Sequence, residues 1–299
     1  MSTTATTHHQ LTIRSTVTLT NGVEMPLFGL GCYEVPVDDV KNVLISALDC
    51  GYISIDTASV YKNEEAIGIV LRELFSTGAL KREDLFITTK ASSSEQGYDK
   101  AMEACANSLK RLGLDYVDLY LVHWPGVAGN QPTDPLNSTT RAETWRAFET
   151  LYEQKKCRSI GVSNYTIAHL EELFKQCKVR PMVNQVEFHP FLYNKELMDF
   201  CQSNGVALEA YASLVRTKQD SLQDKVLVEI ATKLQKTPAQ VLLRWAIQKN
   251  VIVIPKSVKT ERIQENANIF GFVVPDEDMT TLDNLNCNRR VCWDPYTIL

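Results

Sequence analysis

Between Phe28 and Ile254, short apolar runs that suit β-strands alternate with segments of helical periodicity, and the alternation returns eight times. The strand-like runs are Phe28–Cys32, Tyr52–Ile55 leading into Asp56, Leu85–Lys90, Tyr116–His123, Ser159–Ser163, Met182–Glu187, Val206–Ala212 and Val251–Ile254. Helical segments follow them at Val37–Cys50, Asn63–Phe75, Tyr98–Leu112, Arg141–Gln154, Ile167–Gln176 and Asn194–Ser203. Four more, Leu222–Leu234, Pro238–Gln248, Glu261–Phe270 and Pro275–Leu285, crowd the C-terminal part. Repetition of this kind makes a parallel sheet, and eight units close it into a barrel of roughly 250 residues. The 299 residues present leave a modest surplus. An open dinucleotide-binding sheet would need Gly-x-Gly-x-x-Gly after an early strand, but Glu34 stands where the last glycine belongs after Gly29-Leu30-Gly31. The expected fold is therefore α/β: a (β/α)8 TIM barrel spanning residues 17–299 as one domain. A β-hairpin at Asn21-Gly22 precedes it, extra helices lie near its C-terminus, and the Ser- and Thr-rich residues 1–16 read as a disordered tail.

In a parallel barrel the chemistry sits at the carboxyl ends of the strands. Here those ends are polar: Asp56 closes the second run, Lys90 the third and His123 the fourth, with Tyr61 on the loop that follows Asp56. A lysine ending an apolar strand is costly unless a carboxylate neutralises it, and Asp56 is one strand away. A tyrosine has a reference pKa of about 10, which a neighbouring ammonium lowers by stabilising phenolate. Lys90 is thus expected to make Tyr61 a better acid, with Asp56 holding Lys90 and a neutral His123 orienting a carbonyl oxygen. Such a group protonates an oxygen while something else attacks the carbon. Hydride is the attacker that fits, because no Ser or Cys nucleophile is paired with a base.

The totals exclude other classes. A net charge of −5 without a long Lys/Arg run gives no reason to expect nucleic acid or an anionic membrane surface, and no apolar run approaches a membrane span. The 8 cysteines include no Cys-x-x-Cys and several lie in apolar segments, so neither a disulfide framework nor a metal site is expected. Residues 1–16 lack the charged start and apolar core of a secretory signal. A cytoplasmic, monomeric protein with a small-molecule carbonyl substrate is expected, without nucleic-acid or membrane partners.

Several stretches in order resemble the aldo-keto reductase superfamily, from about Val17 to Asp294-Pro295. They are Asp56-Thr57-Ala58 with Tyr61 and Asn63-Glu64, Ile87-Thr88-Thr89-Lys90, and Leu121-Val122-His123-Trp124-Pro125. Ile160-Gly161-Val162-Ser163-Asn164, Asn184-Gln185-Val186-Glu187, and Ile254-Pro255-Lys256-Ser257 with Arg262 and Glu265-Asn266 complete the set. The resemblance implies that Asp56, Tyr61, Lys90 and His123 form a catalytic tetrad with Tyr61 as the acid. It implies that Ser163, Asn164 and Gln185 hold a nicotinamide carboxamide, with Tyr211 stacked on the ring. Lys256, Ser257 and Arg262 would take a 2′-phosphate, Glu265 and Asn266 the adenine, and Gly31, Cys32 and Leu214 further cofactor contacts. Two cations and a hydroxyl at a helix start suit a dianionic phosphate, so NADPH is the expected cofactor.

The chain also departs from the family. Ala91-Ser92 follow Lys90 where Leu-Trp is common, and Ala212-Ser213-Leu214-Val215 replace Ser-Pro-Leu-Gly after Tyr211, with Arg216 offered as a substitute phosphate contact. Tyr33 stands where tryptophan is frequent, and Cys292-Trp293 replace Gly-Pro. Tyr33, Trp124 and Trp293 would line the substrate pocket, left open by a short tail. Aldehydes, dicarbonyls, quinones and prostaglandin-like compounds are the expected substrates. Two other readings remain at this point. One is a cofactor-binding barrel with a structural or regulatory role, whose mark would be loss of a tetrad member. The other is an unrelated barrel hydrolase or isomerase, which would need a metal cluster or paired catalytic carboxylates.

Overall fold

The structure, a computed structural model, describes residues 11–217 and 219–299. Two short strands, β1 (Thr16–Thr18) and β2 (Glu24–Pro26), pair antiparallel around the Asn21-Gly22 turn, where Gly22 takes a φ of 83°. Asn21 fastens this hairpin to the barrel by donating to the Arg158 carbonyl at 2.9 Å. Eight parallel strands follow: β3 (Leu30–Gly31), β4 (Ser54–Asp56), β5 (Phe86–Ala91), β6 (Val117–Val122), β7 (Cys157–Ser163), β8 (Val183–Glu187), β9 (Ala207–Tyr211) and β10 (Ile252–Val253). Each hydrogen-bonds to the next in chain order, and a parallel bridge between Phe28 and Val253 joins the first to the last. The closing bonds run from Gly29 N to Val253 O at 2.9 Å and from Val253 N to Leu27 O at 3.0 Å.

The side chains sort into two layers, which is why the strands read as continuous apolar runs. Leu119, Leu121, Val183 and Ile252 gather with Leu27 and Phe86, and hairpin residues Leu19 and Met25 join that cluster, so the hairpin caps the amino-terminal end of the barrel. Tyr120, Val122, Ile160 and Val162 belong instead to the large outer core under the helices. Those helices are α1 (Val40–Asp49), α2 (Glu64–Ser76), α3 (Tyr98–Leu112), α4 (Leu136–Glu153), α5 (Ile167–Phe174), α6 (Lys195–Ser203), α7 (Gln219–Leu222), α8 (Lys225–Lys233), α9 (Pro238–Gln248), α10 (Thr260–Ala267) and α11 (Asp276–Asp283). Gly68 lets α2 lie against the end of α3, since a Cβ there would stand 2.3 Å from the Arg111 carbonyl oxygen.

Several boundaries differ from the sequence expectation. The helix expected from Arg141 begins at Leu136, because Asp134 accepts from the Leu136 amide at 2.9 Å. The buried Asn137 then ties the preceding loop down through Val127, Gln131 and Pro132. The run Leu222–Leu234 is divided, with Asp224 capping α8 by accepting from Val226 and Leu227. The expected tail does not reach residue 16: Leu11 and Ile13 pack on the apolar core and β1 begins at Thr16, while residues 1–10 lie outside the described residues.

Candidate active site

Three strand ends and one loop bring the carboxylate, amine, imidazole and phenol side chains to one place. Asp56 ends β4, and Lys90 stands one residue before the end of the neighbouring β5. The Lys90 ammonium donates to Asp56 Oδ1 at 2.5 Å, to the Thr57 carbonyl at 3.0 Å and to Tyr61 Oη at 3.4 Å, and the lysine is fully buried. Tyr61 reaches this point on a single 3-10 turn, Ser59–Tyr61, which follows β4 and ends at Lys62 in the left-handed region. Its loop is anchored by Asn63, buried, which accepts from Thr57 and donates to the Cys32 carbonyl at 2.8 Å. His123 lies just beyond β6 with Nε2 3.5 Å from Tyr61 Oη. The expected tetrad is thus assembled within hydrogen-bonding reach.

The electrostatics correct one expectation. Burial alone pushes the Lys90 amine down, but Asp56 and Tyr61 outweigh it and hold the amine above the usual lysine range. Burial also raises the Tyr61 phenol, and although Lys90 opposes this as expected, burial wins and the phenol sits at about 12. The sequence expectation that Tyr61 is more acidic than an ordinary tyrosine is therefore corrected: burial outweighs the ammonium. Its neighbour was identified correctly, and the desolvation was not visible. His123 is driven down to about 3 by burial and then by Lys90, so it is neutral.

The residues proposed for a nicotinamide cofactor divide into those already engaged and those left open. Ser163 donates to the Gln185 carbonyl at 2.8 Å. Asn164, at a φ of 64°, donates to Ser163 and to the His123 carbonyl, and accepts from Tyr211 Oη at 2.6 Å. Gln185 Nε2 donates to Asp56 Oδ2 at 2.8 Å and to Glu209 Oε2 at 2.7 Å, so both its hydrogens are used. Gly31 pairs with Asp56 across β3 and β4, and a Cβ on it would stand 2.6 Å from the Ile254 carbonyl oxygen. Cys32 beside it is buried, with its thiol pushed up to about 12 by burial and then Asp56. Lys256 and Arg262 are exposed and in no ion pair among the described residues; Ser257 is buried and receives the Lys259 amide at the start of α10. Asn266 is buried, yet its side-chain amide makes no hydrogen bond among the described residues, whereas Glu265 accepts from Thr237 at 2.6 Å. Unpaired cations and a side-chain amide without a partner among the described residues are what a phosphorylated nucleotide would satisfy, so the donor set fits NADPH.

Around the mouth, Tyr33 stands edge-on to Tyr61 with ring centroids 5.1 Å apart, and the Arg216 guanidinium lies 5.3 Å over the Tyr33 ring. Arg216 is also ion-paired with Glu34 at 2.9 Å, so this side chain links the loop after β9 to the loop after β3. That β9 loop carries positive φ at Ala212, Val215 and Arg216, in the region that favours glycine. Trp124 and Leu214 are half-buried, while Trp293 is 68% exposed and makes no ring contact among the described residues. Sequence reasoning missed two groups. Glu209, fully buried in β9, shares Gln185 with Asp56. Glu187 accepts from His189 and from the Val291 and Cys292 amides, holding the C-terminal segment against the barrel. An acid inside an apolar run is the signal that could have found Glu209.

Comparison with known proteins gives the family. A family model for the Aldo/keto reductase family matches residues 27–287. A glyoxal reductase of Bacillus subtilis (strain 168) is 47% identical over 288 residues, covering 96% of this chain and 98% of that one. A 9,11-endoperoxide prostaglandin H2 reductase of Trypanosoma cruzi (strain CL Brener) is 43% identical over 281 residues, covering 93% and 94%. The crystal structure of an aldo-keto reductase enzyme from a Medee basin deep-sea metagenome library superimposes with a TM-score of 0.84 at 40% identity, over 93% of this chain and 97% of that one. The chain belongs to the aldo/keto reductase family of oxidoreductases.

Proposed function

We propose that the protein is an NADPH-dependent carbonyl reductase whose Tyr61 gives a proton to the carbonyl oxygen of small aldehydes and dicarbonyls. The observation that carries this reading is the chain of contacts from Asp56 through Lys90 to Tyr61 and on to His123. When bound, the nicotinamide supplies the hydride that reduces the carbonyl carbon. Tyr61, at about 12, is held as phenol at neutral pH, which is the form that donates. The Lys90 ammonium, 3.4 Å away, stabilises the phenolate left behind, and Asp56 keeps that ammonium charged and in place. Neutral His123 offers a second polar atom beside the same oxygen and so orients the substrate. Alcohol oxidation needs the phenolate, which burial makes scarce, so the reading favours reduction near neutral pH.

Ser163, Asn164 and Gln185 hold the nicotinamide carboxamide in this proposal, with Tyr211 beside its ring and Gly31, Cys32 and Leu214 along the nucleotide. Lys256, Ser257 and Arg262 take the 2′-phosphate and Asn266 the adenine, the last because its amide has no partner among the described residues. Glu265 contributes only through the oxygen Thr237 leaves free. The relatives named for glyoxal and endoperoxide reduction, and an exposed Trp293 that does not roof the mouth, favour small dicarbonyls with room for larger oxygenated lipids. The test is to titrate the protein with NADPH and NADH by fluorescence, then follow NADPH absorbance with glyoxal, methylglyoxal and a panel of aldehydes. NADPH binding about ten-fold or more tighter than NADH, with turnover of dicarbonyls, is expected from charge-assisted phosphate contacts. Tight NADPH binding with no turnover of any carbonyl would instead favour a regulatory barrel.

A further inference from the structure

Two carboxyl groups and one ammonium are sealed together inside the barrel, and the imbalance has a consequence for Gln185. Asp56, Glu209 and Lys90 are each buried, and among the described residues the charged groups acting on Glu209 are Asp56 on β4 and Lys90 on β5. Its register neighbours, Gln185 on β8 and Ile252 on β10, are uncharged. Lys90 is committed to Asp56 at 2.5 Å. A second carboxylate here would be a buried charge without a counterion, which proteins avoid by keeping the proton. Gln185 Nε2 bridges the two acids, and reversing the amide would set its oxygen against the Asp56 carboxylate. Gln185 Oε1 accepts no hydrogen bond among the described residues and is not sealed from solvent, whereas Glu209 Oε1 is sealed and without a partner.

We propose that Glu209 is a positioning residue: as a neutral acid that accepts from Gln185 Nε2, it helps hold the amide with its nitrogen on Asp56 and leaves Oε1 as an open acceptor for the cofactor. Burial first and Asp56 second raise the Glu209 carboxyl to about 8, in agreement with the charge count. The link to nucleotide binding rests on the proposed carboxamide contact of Gln185; the protonation of Glu209 does not. Since the folded state keeps this proton above the ordinary glutamate value of 4.5, folding stability falls as pH rises from there through about 8.

The experiment compares wild type, Glu209→Gln and Glu209→Leu. In nucleotide-free protein, the melting temperature of Glu209→Gln minus that of wild type should widen from about pH 6 to about pH 9, reaching roughly 3 °C. Parallel curves would overturn the neutral acid. By fluorescence titration, Glu209→Leu should weaken NADPH about ten-fold, through loss of one amide partner, and Glu209→Gln should restore most of that affinity. Equal NADPH affinity in all three would overturn the positioning role. If Glu209→Leu does not fold, the melting curves of Glu209→Gln still decide. A wild-type protein that binds no NADPH would sink the proposed function while the melting-curve difference stood.

Discussion

Two buried carboxylate networks sit at opposite ends of the same barrel, and they are balanced in opposite ways. At the amino-terminal end, Asp118 on β6 is fully buried and accepts from Arg82 at 2.6 Å, from Arg158 at 2.7 Å and from the Ile87 amide at 2.9 Å. One carboxylate therefore meets two guanidiniums whose outer parts reach water, with side-chain exposures of 16% and 46%. At the carboxyl-terminal end, two carboxyls share one ammonium, and the Lys90 and Asp56 side chains are only 0% and 3% exposed. The first network satisfies its charges and ties β5 to β7 through β6. The second is short of cations and water, which is how a fold holds protons at unusual pKa values.

The difference can be broken from either side. The largest effect is expected for Lys90→Met, which leaves Asp56 uncompensated and Tyr61 without its ammonium. Carbonyl reduction should fall about 100- to 10,000-fold and stability by about 3–5 kcal/mol, read by steady-state kinetics and denaturant unfolding. Asp118→Asn should separate the two properties. It is expected to cost about 2–4 kcal/mol, because two arginines lose a buried carboxylate, while kcat stays within about two-fold of wild type. A kcat loss comparable to that of Lys90→Met would mean that the amino-terminal network is not merely structural. The smallest effect concerns acid. His123 has a folded value of about 3 against 6.5 for an ordinary histidine, so its contribution to stability is complete above about pH 6.5 and lost as pH falls toward 3. Replacing it by Gln should blunt acid destabilisation over that window by on the order of 1–2 kcal/mol, seen in urea midpoints at several pH values. An unchanged acid limb would mean that His123 is not kept neutral.

Much of this was legible in the sequence, and the gaps have physical causes. The barrel followed from eight strand-like runs, and Asp56, Lys90 and His123 stood out because a polar residue at the end of an apolar run has few structural reasons to be there. Asp56 and Lys90 were paired by adjacency of consecutive strands, a local inference. Gln185 was singled out, but its partner Asp56 lies 129 positions earlier, on a strand it meets only across the closed barrel. Glu209 was passed over because Leu208-Glu209-Ala210-Tyr211 reads as one more core strand, and only closure brings its carboxyl opposite Asp56. The acidity of Tyr61 was misjudged for a different reason: the sequence names the neighbouring charge and its sign, while burial depends on the loop from Ser59 to Lys62 folding inward. Trp293 was as hard to place, since nothing in a short tail says which aromatic turns toward solvent.

The central claim is that the buried amine and phenol at the carboxyl-terminal rim form a proton donor for an incoming carbonyl. Tyr61→Phe removes one oxygen and little volume, so nucleotide affinity and turnover can be measured on the same folded protein. NADPH affinity within about two-fold of wild type, together with a loss of glyoxal reduction of about 100-fold or more, is the expected result. Full turnover in the phenylalanine variant would contradict the account.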